Sequence, residues 1–221
     1  MAERGKGSRS KKNEVFTGGA NKNTAMPTSN VLKDDFGFEI PTETVPIPSM
    51  GLAYTADSPM HGQEVVQIRA MTAREEDILT SKALIKKGTV ITHLLKSCIV
   101  DEGFDPDQLL SGDRNAIMVA LRSTGYGSEY SAEVDCPACG ERSKQSFNLA
   151  ELPIKRMGIA PVSPGVNLFE TTLPMTKKTV RFRFLTGENE QEISILQERK
   201  KKTGQITDNL ITTRLQFSLV S

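Results

Sequence analysis

The sequence predicts an α+β protein: a helical cluster with a zinc-knuckle-like β-hairpin and a second small αβ unit, preceded by a disordered arm. Apolar residues recur at helical spacing through residues 72–125, which indicates a group of helices. Alternating strand patterns flank Cys136 and Cys139, and a Pro/Gly-rich connection leads into further strands and helices. A chain of 221 residues can bury a sizeable core but has room for only one or two domains.

Residues 1–30 are polar and rich in Gly, Ser, Asn and Lys. They bury too little apolar surface to offset the entropy of ordering, so we predict a flexible basic arm. Its cations could contact phosphates, but a solvated tail is the favoured interpretation. The cations of the arm are Arg4, Lys6, Arg9, Lys11 and Lys12.

Residues 31–60 are predicted to form an extended strap. Prolines at positions 41, 46 and 48 exclude a helix and favour extended backbone. We expect this segment to lie on another surface rather than to form part of the core.

Residues 61–152 are predicted to hold the helical core and the hairpin. Alternating apolar residues around Val66 predict a strand with one buried face. Thr72 and Glu75 have capping-box spacing and open a helix that continues to Gly88. The next helix has an apolar stripe, which consists of Val90, Ile91, Leu94, Leu95, Cys98 and Ile99.

A third helix is opened by Ser111 or Asp113 and closed by Gly125. Its predicted apolar face consists of Ile117, Met118 and Leu121 with Ala116 and Ala120. Asp113 and Arg114 raise the question of a catalytic pair, but capping explains the carboxylate and solvation explains the guanidinium. Capping likewise explains the acidic residues of "REED" at 74–77.

Residues 153–221 are predicted to form a small strand and helix unit. "LFETTLP" and "KTVRFRFL" indicate paired strands, and Thr186 caps a helix that runs to the lysines at 200–202. A final amphipathic helix presents Leu210, Ile211, Leu215 and Leu219 on one face. Because this helix is still in progress at Ser221, we expect the natural polypeptide to continue.

Cys136 and Cys139 are the predicted metal ligands. Two thiolates at CxxC spacing can bind one ion, Pro137 stiffens the turn, and Gly140 lets the backbone fold beneath the metal. A redox dithiol would require the first cysteine at a helix N-terminus, whereas "GERSKQSFNL" after Cys139 indicates a strand. A structural zinc is therefore favoured over redox chemistry.

A closed zinc site needs four ligands, and this motif supplies two. Cys98 and His93 are the other candidate donors, although Cys98 lies on an apolar helical face that is typical of a core residue. A second CxxC beyond residue 221 would complete the site. We therefore expect one structural zinc in a longer chain, and an incomplete site in this one.

Composition excludes several functional classes. The formal net charge of +1 gives no global field that attracts nucleic acid or an anionic membrane. Three cysteines do not form a disulfide framework, and the N-terminus lacks a secretory signal, so a cytosolic protein is expected. No run of about eighteen apolar residues could span a membrane. The sequence lacks phosphate-loop, GxSxG, HExxH and dinucleotide motifs, which favours a non-enzymatic role with no small-molecule substrate.

The strings "MTAREEDILTS" and "GDRNAIMVALRSTGYG…CPACG" carry a family resemblance. The chain, from about Val45 to its end, resembles the baseplate hub or hub-assembly proteins of T-even-type contractile-tailed bacteriophages. The resemblance implies a minor baseplate hub component or a hub-assembly chaperone, with other tail and baseplate proteins as partners. It also implies assembly in the host cytoplasm, a location in the virion tail, and a second cysteine pair in a further C-terminal portion.

Two alternatives remain open from sequence. A zinc-ribbon nucleic-acid-binding protein would present Arg142 and Lys144 from the cysteine hairpin. A thiol oxidoreductase would need a lowered pKa at Cys136.

Overall fold

The computed structural model describes residues 31–33, 37, 39–101, 103–202 and 210–220. The described part is a mixture of helices and small antiparallel sheets, so the predicted α+β class is confirmed. The predicted arm at 1–30 lies outside the described residues. The strands are β1 Val31–Lys33, β2 Glu39–Pro46, β3 Val65–Arg69, β4 Glu129–Asp135, β5 Arg142–Asn148, β6 Phe169–Thr172, β7 Thr179–Phe182 and β8 Leu219–Val220. The helices are α1 Ala73–Thr80, α2 Lys82–Lys87, α3 Val90–Cys98, α4 Ser111–Tyr126, α5 Gly187–Lys202 and α6 Leu210–Ser218.

The first sheet has the order β1-β2-β3, and β2 is its central strand. The proline-containing segment is extended through β2, but it forms turns from residue 48 onward, so the predicted extended strap over 31–60 is only partly correct. The expectation that this segment lies outside the core is wrong. Val45 and Ile47 are 3% and 1% exposed, because alternate residues of this segment face the interior. Val66 and Ile68 of β3 are also buried, which confirms the predicted one-sided strand.

Thr72 and Glu75 form the predicted capping box at the start of α1. The single helix predicted from Thr72 to Gly88 is instead two helices, because Ser81 adopts extended backbone with ψ of 107°. The Thr80 hydroxyl donates to the Glu76 carbonyl at 2.9 Å and thus competes for the backbone just before the break. Gly88 ends α2 in the left-handed conformation, as predicted.

The core lies between the first sheet, α3 and α4. Leu94, Leu95 and Cys98 of α3 are buried as the apolar stripe predicted, and so are Ile117 and Leu121 of α4.

The end of α4 differs from the prediction, since the helix continues through Gly125 to Tyr126 and Gly127 follows it with φ of 84°. Gly125 instead makes room for Met71, whose Cε lies 2.4 Å from the position that a Cβ would occupy.

The predicted strand pair of the last region is present, with Phe169 opposite Phe182 in the β6–β7 register. Phe169 is fully buried and packs against the rings of Phe182 and Phe184. The Thr186 hydroxyl accepts from the Asn189 N–H at 3.4 Å, which confirms the predicted cap of α5.

The prediction for the last helix is wrong in two respects. α6 ends at Ser218, and Leu219 belongs to β8, which pairs with β7. Arg183 accounts for this ending, because its N–H donates to the Ser218 carbonyl and its Nε donates to the Phe217 carbonyl. The predicted apolar face is also wrong, since Ile211 is 75% exposed and the buried residue of α6 is Thr213.

Candidate docking surfaces and cysteine turn

The cysteine hairpin, defined as β4, β5 and the turn at 136–141, is almost fully exposed on both strands. Tyr130 pairs with Phe147 across the strands, and with Val134 these side chains give one face three large apolar groups that are 42–47% exposed. Because facing residues share one side of a sheet, the hairpin has a partly exposed apolar face, and the Arg122 guanidinium of α4 lies 5.8 Å from the centre of the Tyr130 ring.

The opposite face of the cysteine hairpin is charged. Lys144 pairs with Glu133, and Arg142 pairs with Asp135 through an Nε donation of 2.8 Å to Oδ1. The two cations that the nucleic-acid hypothesis requires therefore each lie opposite a carboxylate, which reduces the positive potential available to phosphate.

The cysteine turn, residues 136–141, joins the two strands. The Cys136 N–H donates to the Glu141 carbonyl at 2.9 Å, and the Gly140 N–H donates to the Cys136 carbonyl at 2.8 Å. Gly140 has φ of 72°, a conformation that suits glycine. Both thiols are free, and hydrogen bonds from the backbone of Cys139 and Ala138 lower the pKa of Cys136. A strand follows the turn as predicted, so Cys136 has no helix dipole.

The other candidate donors lie elsewhere. Cys98 is fully buried in the core, which confirms the core interpretation, and burial followed by the charge of Glu75 raises the pKa of its thiol to about 11. His93 is exposed on α3. In the part of the chain that the structure describes, no three His, Cys, Asp or Glu side chains are grouped so that they could hold a metal. The metal assignment of Cys136 and Cys139 thus remains a prediction.

A second surface is the α4 groove, a depression of about 490 Å³ between β2, α4 and residues 149–155. Val119, Leu152 and Ile154 line it and are 37–47% exposed. α4 forms the floor of the groove, and the depression is deep there because the lining residues Gly112, Ala116 and Ala120 are small.

A neighbouring depression of about 440 Å³ extends the α4 groove, and Pro48, Gly112 and Lys155 line both. The Met157 N–H donates to the Pro48 carbonyl at 2.9 Å, which holds the wall of the groove against the segment after β2. Ile159 adds a further apolar side chain that is 43% exposed.

Asp113 and Arg114, the two residues considered as a catalytic pair, make buried hydrogen bonds that the sequence did not reveal. Asp113 does not cap its own helix: it is 1% exposed and accepts from the Tyr54 hydroxyl and the Ser49 N–H. Arg114 is not solvated but 8% exposed, and its Nη1 donates to the Pro106 carbonyl at 2.7 Å. Burial, followed by the neighbouring charge of Asp113, raises the pKa of Tyr54, so the phenol keeps its proton.

No described helix combines the length and the apolarity needed to cross a membrane.

A family model described as "T4 bacteriophage base plate protein" matches residues 53–163. The matched range contains α1 to α4, the cysteine hairpin and one wall of the α4 groove. Comparisons with curated proteins and with solved structures give no significant match.

Proposed function

This chain belongs to the T4 bacteriophage base plate protein family, and from that premise we propose that it acts by binding other tail proteins through the α4 groove. Family membership implies a structural role in the phage tail, with other tail or baseplate proteins as partners. It also implies a non-enzymatic protein. The finer assignment that we propose is a minor component of the baseplate hub or a chaperone of hub assembly.

The observation that carries this proposal is the uncovered apolar surface along α4. Val119, Leu152 and Ile154 line one groove while remaining more than a third exposed. Contiguous apolar surface of this kind is costly in a protein that works alone and is typical of an interaction site.

Hydrogen bonds hold both sides of the groove in place. The bond from Tyr54 to Asp113 fixes the first turn of α4, and the bond from the Met157 N–H to the Pro48 carbonyl holds the opposite wall. A preformed groove loses less conformational entropy when a partner binds, so apolar contacts there translate more fully into affinity.

The experiment uses aspartate substitutions in the groove. Leu152→Asp and Ile154→Asp place a charge where we expect apolar contact, and each should weaken binding to purified tail proteins by roughly tenfold or more. Met175→Asp is the matched control, because Met175 is 91% exposed and lies outside the groove. Equal binding by all three variants and the unaltered protein would reject the groove as the docking site.

A second measurement separates the two finer roles. A phage that lacks this gene is complemented with the unaltered protein, and its purified virions are examined by mass spectrometry. A hub component is retained in stoichiometric amount, whereas an assembly chaperone is absent from the finished particle. Normal tails formed without the protein would contradict both roles.

A further inference from the structure

The cysteine turn holds two thiols at metal-ligand spacing, and among the described residues no third His, Cys, Asp or Glu is grouped with them. Cys136 and Cys139 lie in one tight turn, and neither forms a disulfide. The Cys136 N–H donates to the Glu141 carbonyl at 2.9 Å, and the Gly140 N–H donates to the Cys136 carbonyl at 2.8 Å. These backbone hydrogen bonds close the turn that carries both thiols.

The other cysteine and the two histidines of residues 1–221 are not grouped with the cysteine pair. The sequence contains three cysteines and two histidines, and all five are among the described residues. Cys98 is enclosed in the core, His61 hydrogen-bonds to the Tyr54 carbonyl through Nδ1, and His93 is exposed on α3. Within the described residues none of them joins the thiol pair in a group of three.

We propose that the cysteine turns of two copies of this chain together bind one zinc ion, with Cys136 and Cys139 of each copy as the four ligands. Zinc in a structural site takes four ligands in a tetrahedron, and four thiolates are a common set. A twofold axis through the ion supplies two identical pairs, so one copy provides the half that the other lacks.

The hairpin gives a second copy access to the turn. Every residue of β5 is exposed, and Ala132 is the only residue of β4 that is half-buried. A two-stranded hairpin without a covering layer is only marginally stable in water, and a metal at its tip would hold both strands in register.

The site is distinct from the α4 groove. The residues that line the groove do not include the cysteine turn, so loss of zinc binding would leave the proposed docking function untouched. Conversely, a failure of groove variants to affect partner binding would not alter the expected metal stoichiometry.

The test uses the full chain, reduced and freed of metal with a chelator, and titrated with zinc chloride. We expect a shift from monomer to dimer mass in sedimentation, with about one zinc for every two chains. Cobalt chloride in place of zinc should give the absorption bands of a tetrahedral tetrathiolate site.

Substitutions identify the ligands. Cys136→Ser and Cys139→Ser should each abolish the zinc-dependent dimer while the circular dichroism spectrum stays unchanged. Cys98→Ala is the matched thiol control and should dimerise with zinc normally, and Glu141→Gln serves the same purpose within the turn if Cys98→Ala does not fold.

Three results would overturn the proposal. They are zinc bound by monomeric protein at one ion per chain, no zinc binding above that of the Cys136→Ser variant, and a zinc-dependent dimer that persists in both serine variants.

Discussion

Tyr54 donates its hydroxyl hydrogen to Asp113 Oδ2 at 2.6 Å, which joins the segment after β2 to the first turn of α4. The same phenolic oxygen accepts from the Leu110 N–H at 3.0 Å, and Asp113 Oδ1 accepts from the Ser49 N–H at 2.9 Å. All four bonded groups are buried, so none can exchange its partner for water. The pair therefore sets the position of the α4 start, and with it the floor of the α4 groove.

We expect Tyr54→Phe to lower the free energy of unfolding by about 1–3 kcal/mol, because it leaves a buried carboxylate oxygen and a buried N–H unpaired. Urea unfolding checks the value. Tyr130→Phe is the control: it removes the same atom from a ring that is 42% exposed, and it should change stability by less than about 0.5 kcal/mol. Equal effects of the two substitutions would show that the bond to Asp113 contributes nothing specific.

Local signals made much of the fold predictable. The capping box of Thr72 and Glu75, the stop at Gly88 and the hairpin around Cys136 and Cys139 each depend on residues a few positions apart. Such patterns act through the backbone nearby and can be recognised in a single sequence.

Long-range partners explain what the sequence could not predict. Asp113 at a helix start has the pattern of a cap, yet its partners Ser49 and Tyr54 lie 64 and 59 residues away. The end of α6 depends on hydrogen bonds from Arg183, which directly follows β7. The α4 groove depends on where residues 149–155 lie beside α4, and no spacing in the sequence reports that.

Glu75 links stability to pH. Burial would raise the pKa of its carboxyl, but hydrogen bonds from Arg69, Ser97 and Thr72 outweigh burial and lower the pKa from 4.5 to about 2. A folded-state pKa below the unfolded value means that the carboxylate stabilises the fold above about pH 4.5. This stabilisation is lost as the pH falls from that value towards 2.

We expect the protein to lose on the order of 2 kcal/mol between pH 4.5 and 2 through Glu75, a value that allows for partial screening. Urea unfolding across this pH range should therefore show a flatter profile for Glu75→Gln than for the unaltered protein. Glu188→Gln replaces an exposed acid in the first turn of α5 and should keep the original slope. A Glu75→Gln profile parallel to that of the unaltered protein would reject this assignment.

The thiols should differ sharply in reactivity. Cys98 is fully buried and burial raises its pKa to about 11, so at neutral pH its thiolate fraction is on the order of 100-fold lower than for an unperturbed thiol. In native, metal-free protein, iodoacetamide should modify Cys136 and Cys139 while leaving Cys98 intact, as peptide mass spectrometry would reveal. Unfolding in urea is the control and should expose all three. Rapid native alkylation of Cys98 would contradict its place in the core.

Gly51 and Gly62 provide a matched test of backbone geometry, because the Gly62 N–H donates to the Gly51 carbonyl at 3.1 Å and brings the two backbones together. Both have positive φ, 71° and 68°. A Cβ on Gly51 would lie 2.4 Å from the Gln63 nitrogen, whereas a Cβ on Gly62 would meet nothing within 4 Å. Gly62→Ala therefore adds only conformational strain and should cost about 1 kcal/mol. Gly51→Ala adds a clash with backbone that cannot rotate away, and thermal unfolding should show a loss of roughly 2–4 kcal/mol. Similar losses for the two variants would mean that the turn opens to admit the methyl group, and that the packing of residues 51 and 63 is looser than the structure describes.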